Sequence, residues 1–317
     1  PIKPKGTIFT YPKRILNNKL NKGTGMKIAI YSRGLEENQH KEINSLITEL
    51  VQHDVEPVFY QDFFNKFYSA VDLKSKYSTF NSSDDLDDSI DCMISLGGDG
   101  TLLDTVTLVR DKGTPVLGIN YGRLGFLANI GKGDLKTAID ALVSRTYVID
   151  KRTLIHLDAN VPLFGDVPYG LNEFTLLKQD SSSMIKIHTY LNGEFLNTYW
   201  ADGLIVATPT GSTGYSLSCN GPVVFPDSGS FVITPVAPHN LNIRPIVVPD
   251  DTIISFEVEG RTDAFLCTLD SRREIVTKEI QLAVRKETFG INLIRLNENN
   301  FLQTLRNKLS WGLDVRN

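Results

Sequence analysis

Residues 90–101 read Ile90-Asp91-Cys92-Met93-Ile94-Ser95-Leu96-Gly97-Gly98-Asp99-Gly100-Thr101, an apolar run that stops at three glycines wrapped around one aspartate. The run is short, apolar and bounded by turn residues, as a buried strand would be. Thr101 to Lys112 then reads as a helix stopped by Gly113. Ligands of open α/β sheets bind beyond the carboxyl ends of strands. Glycines there let backbone approach a polyphosphate, and free N–H groups at a helix start attract its oxygens. The aspartate is the unusual part. A carboxylate beside phosphates repels them unless it takes a proton or holds a cation, and phosphoryl transfer needs both jobs done. Without chemistry the same string is a plain strand-to-helix turn.

Outward from this turn, the first half alternates strand and helix signals. Met26, Ile28 and Ile30 alternate as in a strand, and Ile43, Leu46, Ile47, Leu50 and Val51 recur at helical spacing. Pro115 to Ile119 predicts a short strand, and Asp134 a cap for a helix carrying Leu135, Ala138, Ile139, Leu142 and Val143. The pattern predicts a layered α/β domain with a mostly parallel sheet. Near residue 148 the character changes to short apolar runs punctuated by turns, with Asn192-Gly193 a strong hairpin signal. A β-rich second domain of two sheets is expected. Leu302, Leu305 and Leu309 then predict a closing helix that packs back on the first domain. The expected boundaries are a flexible leader over 1–25, the α/β domain over 26–148, the β-rich domain over 149–290 and the helical segment over 291–317. Met26 is a candidate natural start. The acidic residues Asp84, Asp85, Asp87, Asp88 and Asp91 read as a solvated loop.

Composition narrows the function classes. The chain has 317 residues, 41% hydrophobic and 22% charged, with 33 basic against 37 acidic side chains. A net charge of −4 gives no electrostatic reason to expect nucleic acid or an anionic membrane as partner. The three dispersed cysteines, Cys92, Cys219 and Cys267, point to reduced thiols and a cytoplasmic protein rather than a disulfide framework or zinc site. No apolar run approaches a membrane span. Neither G-x-G-x-x-G after a strand, nor a P-loop, nor H-E-x-x-H occurs.

A second constellation, Asp202-Gly203-Leu204-Ile205-Val206-Ala207-Thr208-Pro209-Thr210-Gly211-Ser212-Thr213-Gly214-Tyr215-Ser216, runs from a strand into a loop of small hydroxyl residues. Such a loop suits a nucleoside better than a lipid tail, and Tyr215 offers an aromatic face. The GGDGT string resembles the signature of a superfamily holding NAD kinases and diacylglycerol-type lipid kinases. The second string is similar to the NAD kinase pattern DGLIVATPTGSTAYS, with Gly214 for the usual Ala. Gly122-Arg123-Leu124-Gly125-Phe126-Leu127, Asn172-Glu173, Pro238-His239-Asn240-Leu241 and Arg244-Pro245 resemble further family motifs in the family's order, as does Lys308-Leu309-Ser310-Trp311-Gly312. Asp270 is followed by Ser271-Arg272-Arg273 where many members carry Asp-Gly, so that turn's role is not carried over.

The resemblance implies an NAD kinase that transfers a phosphoryl group from ATP or polyphosphate to the adenosine-ribose 2′-hydroxyl of NAD, with Mg2+ riding on the donor and no metal site in the protein itself. It implies Asp99 as base and Gly97, Gly98, Gly100, Thr101 and Arg123 around the donor phosphates. It implies NAD contacts from Phe126, Asn172, Glu173, Asp202, Thr210, Thr213, Gly214, Tyr215, Ser218 and His239, and a homodimer or homotetramer. A lipid kinase of the same superfamily, and a non-catalytic NAD(P) sensor, are the alternatives.

Overall fold

The computed structural model describes residues 25–34, 40–67, 77–179, 183–296 and 301–310. Most of the expected leader and the Trp311-Gly312 end of the closing motif lie outside these residues. The first half comprises β1 (Lys27–Tyr31), α1 (His40–Gln52), β2 (Glu56–Tyr60), α2 (Gln61–Phe67), β3 (Ser78–Phe80), β4 (Cys92–Leu96), α3 (Asp99–Val109), β5 (Val116–Asn120), β6 (Ile130–Gly131) and α4 (Leu135–Val143). β5, β4, β1, β2 and β3 lie side by side in that order, all parallel. A parallel sheet needs cover on both faces. Hence β1 and β4 are buried along nearly their whole length rather than alternating as Met26, Ile28 and Ile30 suggested. Cores lie on both sides of the sheet, one built on Ile43, Leu46 and Leu50 of α1, the other on Leu102 and Val106 of α3.

The helices differ from expectation in detail. Val51 is half exposed because α1 turns its sheet face through Ile43, Leu46, Ile47 and Leu50 instead. α3 begins at Asp99, and Arg110, at φ +47°, stops it before Gly113 is reached. Asp134 precedes α4 without a side-chain capping bond. The acidic segment is partly built. Asp85 accepts from the backbone amides of Asn81 and Ser82 in a capping box with Ser82, and Asp91 accepts from the Lys27 amide and Arg145.

The second half comprises β7 (Val148–Ala159), β8 (Tyr169–Gly170), β9 (Glu173–Lys178), β10 (Ile185–Leu191), β11 (Glu194–Ala201), β12 (Gly203–Ala207), α5 (Tyr215–Ser218), β13 (Ser230–Val236), β14 (Ile246–Pro249), β15 (Ile254–Glu259), β16 (Ala264–Leu269), β17 (Arg272–Thr277), β18 (Leu282–Arg295) and α6 (Phe301–Leu309). One antiparallel sheet runs β14-β13-β12-β9-β16-β17. The remaining long strands continue the first half's sheet in the order β11-β10-β15-β18-β5, so that sheet holds twelve strands among the described residues. β18 makes the join. It pairs antiparallel with β15 and β7 and, at Leu293, parallel with Val116 of β5, with a register shift between Lys286 and Gly290.

A third core lies between the two sheets, where Phe174, Leu176, Leu204 and Phe231 meet Ile187, Phe256 and Val284. The Asn192-Gly193 turn joins β10 to β11 with both residues at positive φ. α6 lies against the first half, sharing a cleft with Leu124, Gly125, Asn129 and Asp134. Its buried residue is Leu305, whereas Leu302 is exposed, because the inward face runs through Phe301, Thr304 and Leu305.

Candidate active site

The glycine turn sits at the switch point of the parallel sheet. β1 leads by way of α1 to β2 on one side, whereas β4 leads by way of α3 to β5 on the other. At such a point the loops part and leave a crevice beyond the strand ends. Gly97 takes φ +149°, and a Cβ there would lie 2.4 Å from Thr101 Oγ1, so only glycine fits. Gly98 caps α3, accepting from the amides of Thr101 and Leu102. Asp99, Gly98 and Gly100 are half-buried and Thr101 is buried.

Asp99 has a structural job that its sequence context did not disclose. Its Oδ2 accepts from the Phe126 amide at 2.9 Å, and Oδ1 from the amides of Leu127 and Ala128 at 3.0 and 2.9 Å. The carboxylate thus anchors residues 125–128 to the start of α3. Gly125 permits the approach, since a Cβ there would fall 1.8 Å from Asp99 Oδ1. Arg123 is exposed, and its carbonyl accepts from Asn120 Nδ2 while the Gly122 amide donates to Asn120 Oδ1. Asn120 therefore shapes the turn that carries Arg123.

The Asn172-Glu173 pair is set by Asp270, ninety-seven residues beyond Glu173 in the chain. Asp270 Oδ2 accepts from the Leu171 amide at 2.8 Å, and Oδ1 from Asn172 at 2.7 Å and Glu173 at 3.1 Å. Asp270 itself takes φ +53° in the β16–β17 turn, a conformation Asp tolerates better than most residues. Arg272, next but one, donates to the carbonyls of Val167 and Tyr169. The turn whose role was not carried over is thus the clamp for residues 167–173. Burial raises the Asp270 carboxyl from its ordinary value, against the three amides and the Arg272 charge, which lower it.

Beside this clamp, Asn172 Oδ1 and Glu173 Oε2 are buried without a hydrogen-bond partner. Burial, reinforced by the Asp270 charge, pushes the Glu173 carboxyl up to about 8. Both side chains face Gly214, where a Cβ would lie 3.2 Å from Glu173 Oε2 and 3.9 Å from Asn172 Nδ2. The hydroxyl-rich loop wraps round them. The Thr208 amide donates to the Asn172 carbonyl, and Thr213 Oγ1 donates to the Thr210 carbonyl. Tyr215 and Ser218 are exposed, one turn apart on the short helix α5.

The structure links this loop to the glycine turn. Leu171, just before the pair, packs in one core with Leu102 of α3 and Leu127 of the anchored loop. Buried Arg152 of β7 donates to Thr210 Oγ1 at 3.2 Å and to Asp150 at 2.8 Å, and lines a cavity of about 410 Å³ together with Phe126. Burial, then the charges of Cys219 and Asp202, raise the Tyr215 hydroxyl from its ordinary value, so Asp202 lies within electrostatic reach of this grouping. Asp202 pairs with Lys178 at 2.6 Å, and the His239 amide donates to the carbonyl of Trp200. Lys178 and Trp200 line a second groove of about 640 Å³. Sequence reading missed Asn120, Arg152 and Asp270. Only Asn120, two residues ahead of Gly122, carried a local signal, that of a side chain turning the backbone.

A glycine turn at the switch point of a parallel sheet, carrying one carboxylate and joined through one core to a polar cradle on an antiparallel sheet, suits a two-part kinase of small molecules rather than a P-loop enzyme or a dehydrogenase. Residues 27–147 match the ATP-NAD kinase N-terminal domain and residues 171–296 the ATP-NAD kinase C-terminal domain. The chain is 49% identical to an NAD kinase of Cytophaga hutchinsonii over 92% of its length and 100% of that protein. It is 40% identical to an NAD kinase of Bacteroides fragilis, again over 92% of its length and all of the relative. The chain belongs to the NAD kinase family, phosphotransferases that convert NAD to NADP. Among solved structures, yeast NADH kinase complexed with NADH superposes with a TM-score of 0.84 at 22% identity, over 93% of this chain and 90% of that one. An NAD kinase from Archaeoglobus fulgidus in complex with ATP gives 0.69 at 24% identity, over 90% and 99%. At these identities the likeness establishes the fold. The lipid-kinase alternative draws no support from these relatives.

Proposed function

We propose that NAD binds with its adenosine ribose between the Asn172-Glu173 pair and the glycine turn, and that Asp99 accepts the proton of the 2′-hydroxyl as the donor's terminal phosphoryl arrives. The observation that carries this reading is the pair of partnerless buried atoms, Asn172 Oδ1 and Glu173 Oε2. A buried polar atom without a partner costs on the order of 1–3 kcal/mol. A ribose diol relieves that cost at both. With its carboxyl raised to about 8, Glu173 is protonated near neutral pH and both donates to and accepts from a hydroxyl. Thr210, Thr213 and Gly214 line the adenosine, with Tyr215, Ser218 and Phe126 at its rim, and Asp202 and His239 toward the nicotinamide end.

Asp99 keeps acceptor capacity for the proton. Oδ2 takes one amide, from Phe126, and a carboxylate oxygen has a second lone pair. A ribose hydroxyl is too weakly acidic to attack as free alkoxide, so a base in place contributes about 10²–10⁴-fold. Gly97, Gly98, Gly100 and Thr101 form the donor cradle, with Arg123 at its edge.

The donor is ATP or polyphosphate with Mg2+. The ion is carried mainly by the donor phosphates, as magnesium often is. When bound, it neutralises developing charge on those phosphates. Residues 26–148 with the closing segment 291–317 make up the donor half, and 149–290 the dinucleotide half. The dispersed thiols, with Cys92 and Cys267 buried, support a cytoplasmic enzyme, and the family resemblance supports a homodimer or homotetramer.

Steady-state kinetics on Asn172→Ala test the reading. The expected result is a KM for NAD raised at least tenfold with the KM for ATP within twofold of wild type. An unchanged KM for NAD would remove the pair from the site. Assaying with NAD, magnesium and either ATP or polyphosphate, coupled to an NADP-specific dehydrogenase, identifies the donor.

A further inference from the structure

We infer that Arg33 is a donor-binding residue, held by Asp104 so that its guanidinium reaches the terminal phosphates of the phosphoryl donor at the glycine turn. The inference rests on the reading that those phosphates lie at residues 97–101.

Topology brings Arg33 there. In the parallel pairing of β1 with β4, Tyr31 stands opposite Ser95. Arg33 and Gly97, each two residues further on, therefore leave the sheet at the same level, one on each side of the switch point. Phosphates seated on the glycine turn have the end of β1 as their neighbour on that side.

The side chain is aimed. Arg33 Nε and Nη2 donate to the two carboxylate oxygens of Asp104, at 2.5 and 2.6 Å, in a bidentate pair. Asp104 lies on α3, one helical turn and a residue past Asp99, and also accepts from the Tyr31 hydroxyl at 2.9 Å. With that grip on one edge of the guanidinium, Nη1 points along α3 toward its start. A Cβ at Gly100 would lie 3.6 Å from it. Nη1 makes no hydrogen bond among the described residues, and the side chain is 51% exposed. The backbone is held as well, since Lys66 Nζ donates to the Arg33 carbonyl at 2.8 Å. The groups facing the guanidinium are thus Asp104 and Tyr31.

An exposed ion pair by itself does little for stability. A planar guanidinium with one edge on a carboxylate and the other open suits bidentate recognition of phosphate, and fixing it beforehand spares the ordering cost on binding. Lysine would carry the charge without the fork.

The test varies ATP at saturating NAD, and NAD at saturating ATP, for wild type, Arg33→Gln, Arg33→Lys and Asp104→Asn. Expected is a KM for ATP raised about tenfold or more in R33Q, with the KM for NAD within twofold. R33K should recover part of the loss, and D104N should show a smaller rise of the same kind. Calorimetric titration with tripolyphosphate, a donor fragment without a nucleoside, should show the same ranking of affinities. An unchanged KM for ATP in R33Q, or equal rises for ATP and NAD, overturns the inference. Should R33Q not fold, R33K and D104N decide it by the same readouts, wild-type values in both counting against it. A wild type that binds tripolyphosphate without Arg33 dependence refutes this inference alone. A wild type that makes NADP while NAD, not ATP, responds to substitutions in residues 97–101 refutes the underlying placement of the donor.

Discussion

Asp99→Asn separates the two jobs given to that side chain. Asparagine keeps one acceptor oxygen for Leu127 and Ala128, whose amides now donate to Oδ1. It sets an NH2 group against the Phe126 amide, which donates to Oδ2. One charge-assisted bond is lost and two donors confront each other, about 2–4 kcal/mol in all. The melting midpoint should fall roughly 3–6 °C. As base, Asp99 should also carry about 10²–10⁴-fold in kcat. Gly125→Ala is the control. Its Cβ would sit 1.8 Å from Asp99 Oδ1, which forces the loop off the carboxylate without removing the carboxylate. Thermal melts and single-turnover NADP formation on both variants give the answer. The base role predicts similar melts and a kcat far lower in D99N than in G125A. Equal kcat losses in the two variants would reduce Asp99 to an anchor, and a D99N enzyme keeping most of its turnover would remove the base role. An unchanged D99N melt would refute the anchor.

Glu173→Gln should change how stability depends on pH. With its carboxyl raised to about 8 in the fold, Glu173 contributes stability fully present below the ordinary glutamate value near 4.5 and lost as pH rises toward 8. Melting midpoints from pH 5 to 9 should therefore fall less steeply in E173Q than in wild type, and parallel curves would count against the raised carboxyl. Asp270→Asn should weaken NAD binding at least tenfold, read by calorimetry, and cost about 2–4 kcal/mol in denaturant unfolding, since the Leu171 amide would face an NH2 group and the amides of Asn172 and Glu173 would keep only an uncharged acceptor. NAD affinity equal to wild type would show that the clamp does not position the pair. Gly214→Ala restores the methyl usual in the family, at φ −96° and ψ −129°, so the backbone must ease toward the extended region to accept it. Burying one methyl against the adenosine is worth about 0.8 kcal/mol, so NAD affinity should rise about three- to fourfold. A loss of affinity would mean that the backbone at Gly214, or Glu173 Oε2 and the Gly211 carbonyl, each 3.2 Å from the new methyl, does not give.

What the sequence disclosed follows from the range of the forces involved. The glycine turn was legible because strand, turn and helix are contiguous and each is set by its own residues. The Asn192-Gly193 hairpin was legible for the same reason, both residues taking positive φ in the turn. Strand β9, which carries Glu173, went unread because its run is brief and follows directly on the loop. β14 and β17 hide behind charged and proline residues at a sheet's edges, where pairing with one neighbour suffices. Arg33 gave no sign either, since its meaning depends on Asp104 and on the register between β1 and β4. Asp270 is the sharpest case. Its neighbours depart from the family pattern, yet its own carboxylate organises the pair on which the site reading depends, through a contact that no local window contains. The misplaced Leu302 has a plainer cause: helical spacing fixes which residues share a face, but the partner surface decides which face turns inward.

The long strand β18 has a mechanical consequence. Because it is bonded to β7 along its length and reaches β5 at one end and β15 at the other, the two halves share a girder instead of a hinge. On the proposed placement, a substrate between them would be enclosed by the arms of the molecule, the glycine turn, the anchored segment 125–128 and the hydroxyl-rich loop, while the frame behind stays still. Heat should then take the frame apart in one step, and the coenzyme, by tying those arms together, should delay that step without splitting it.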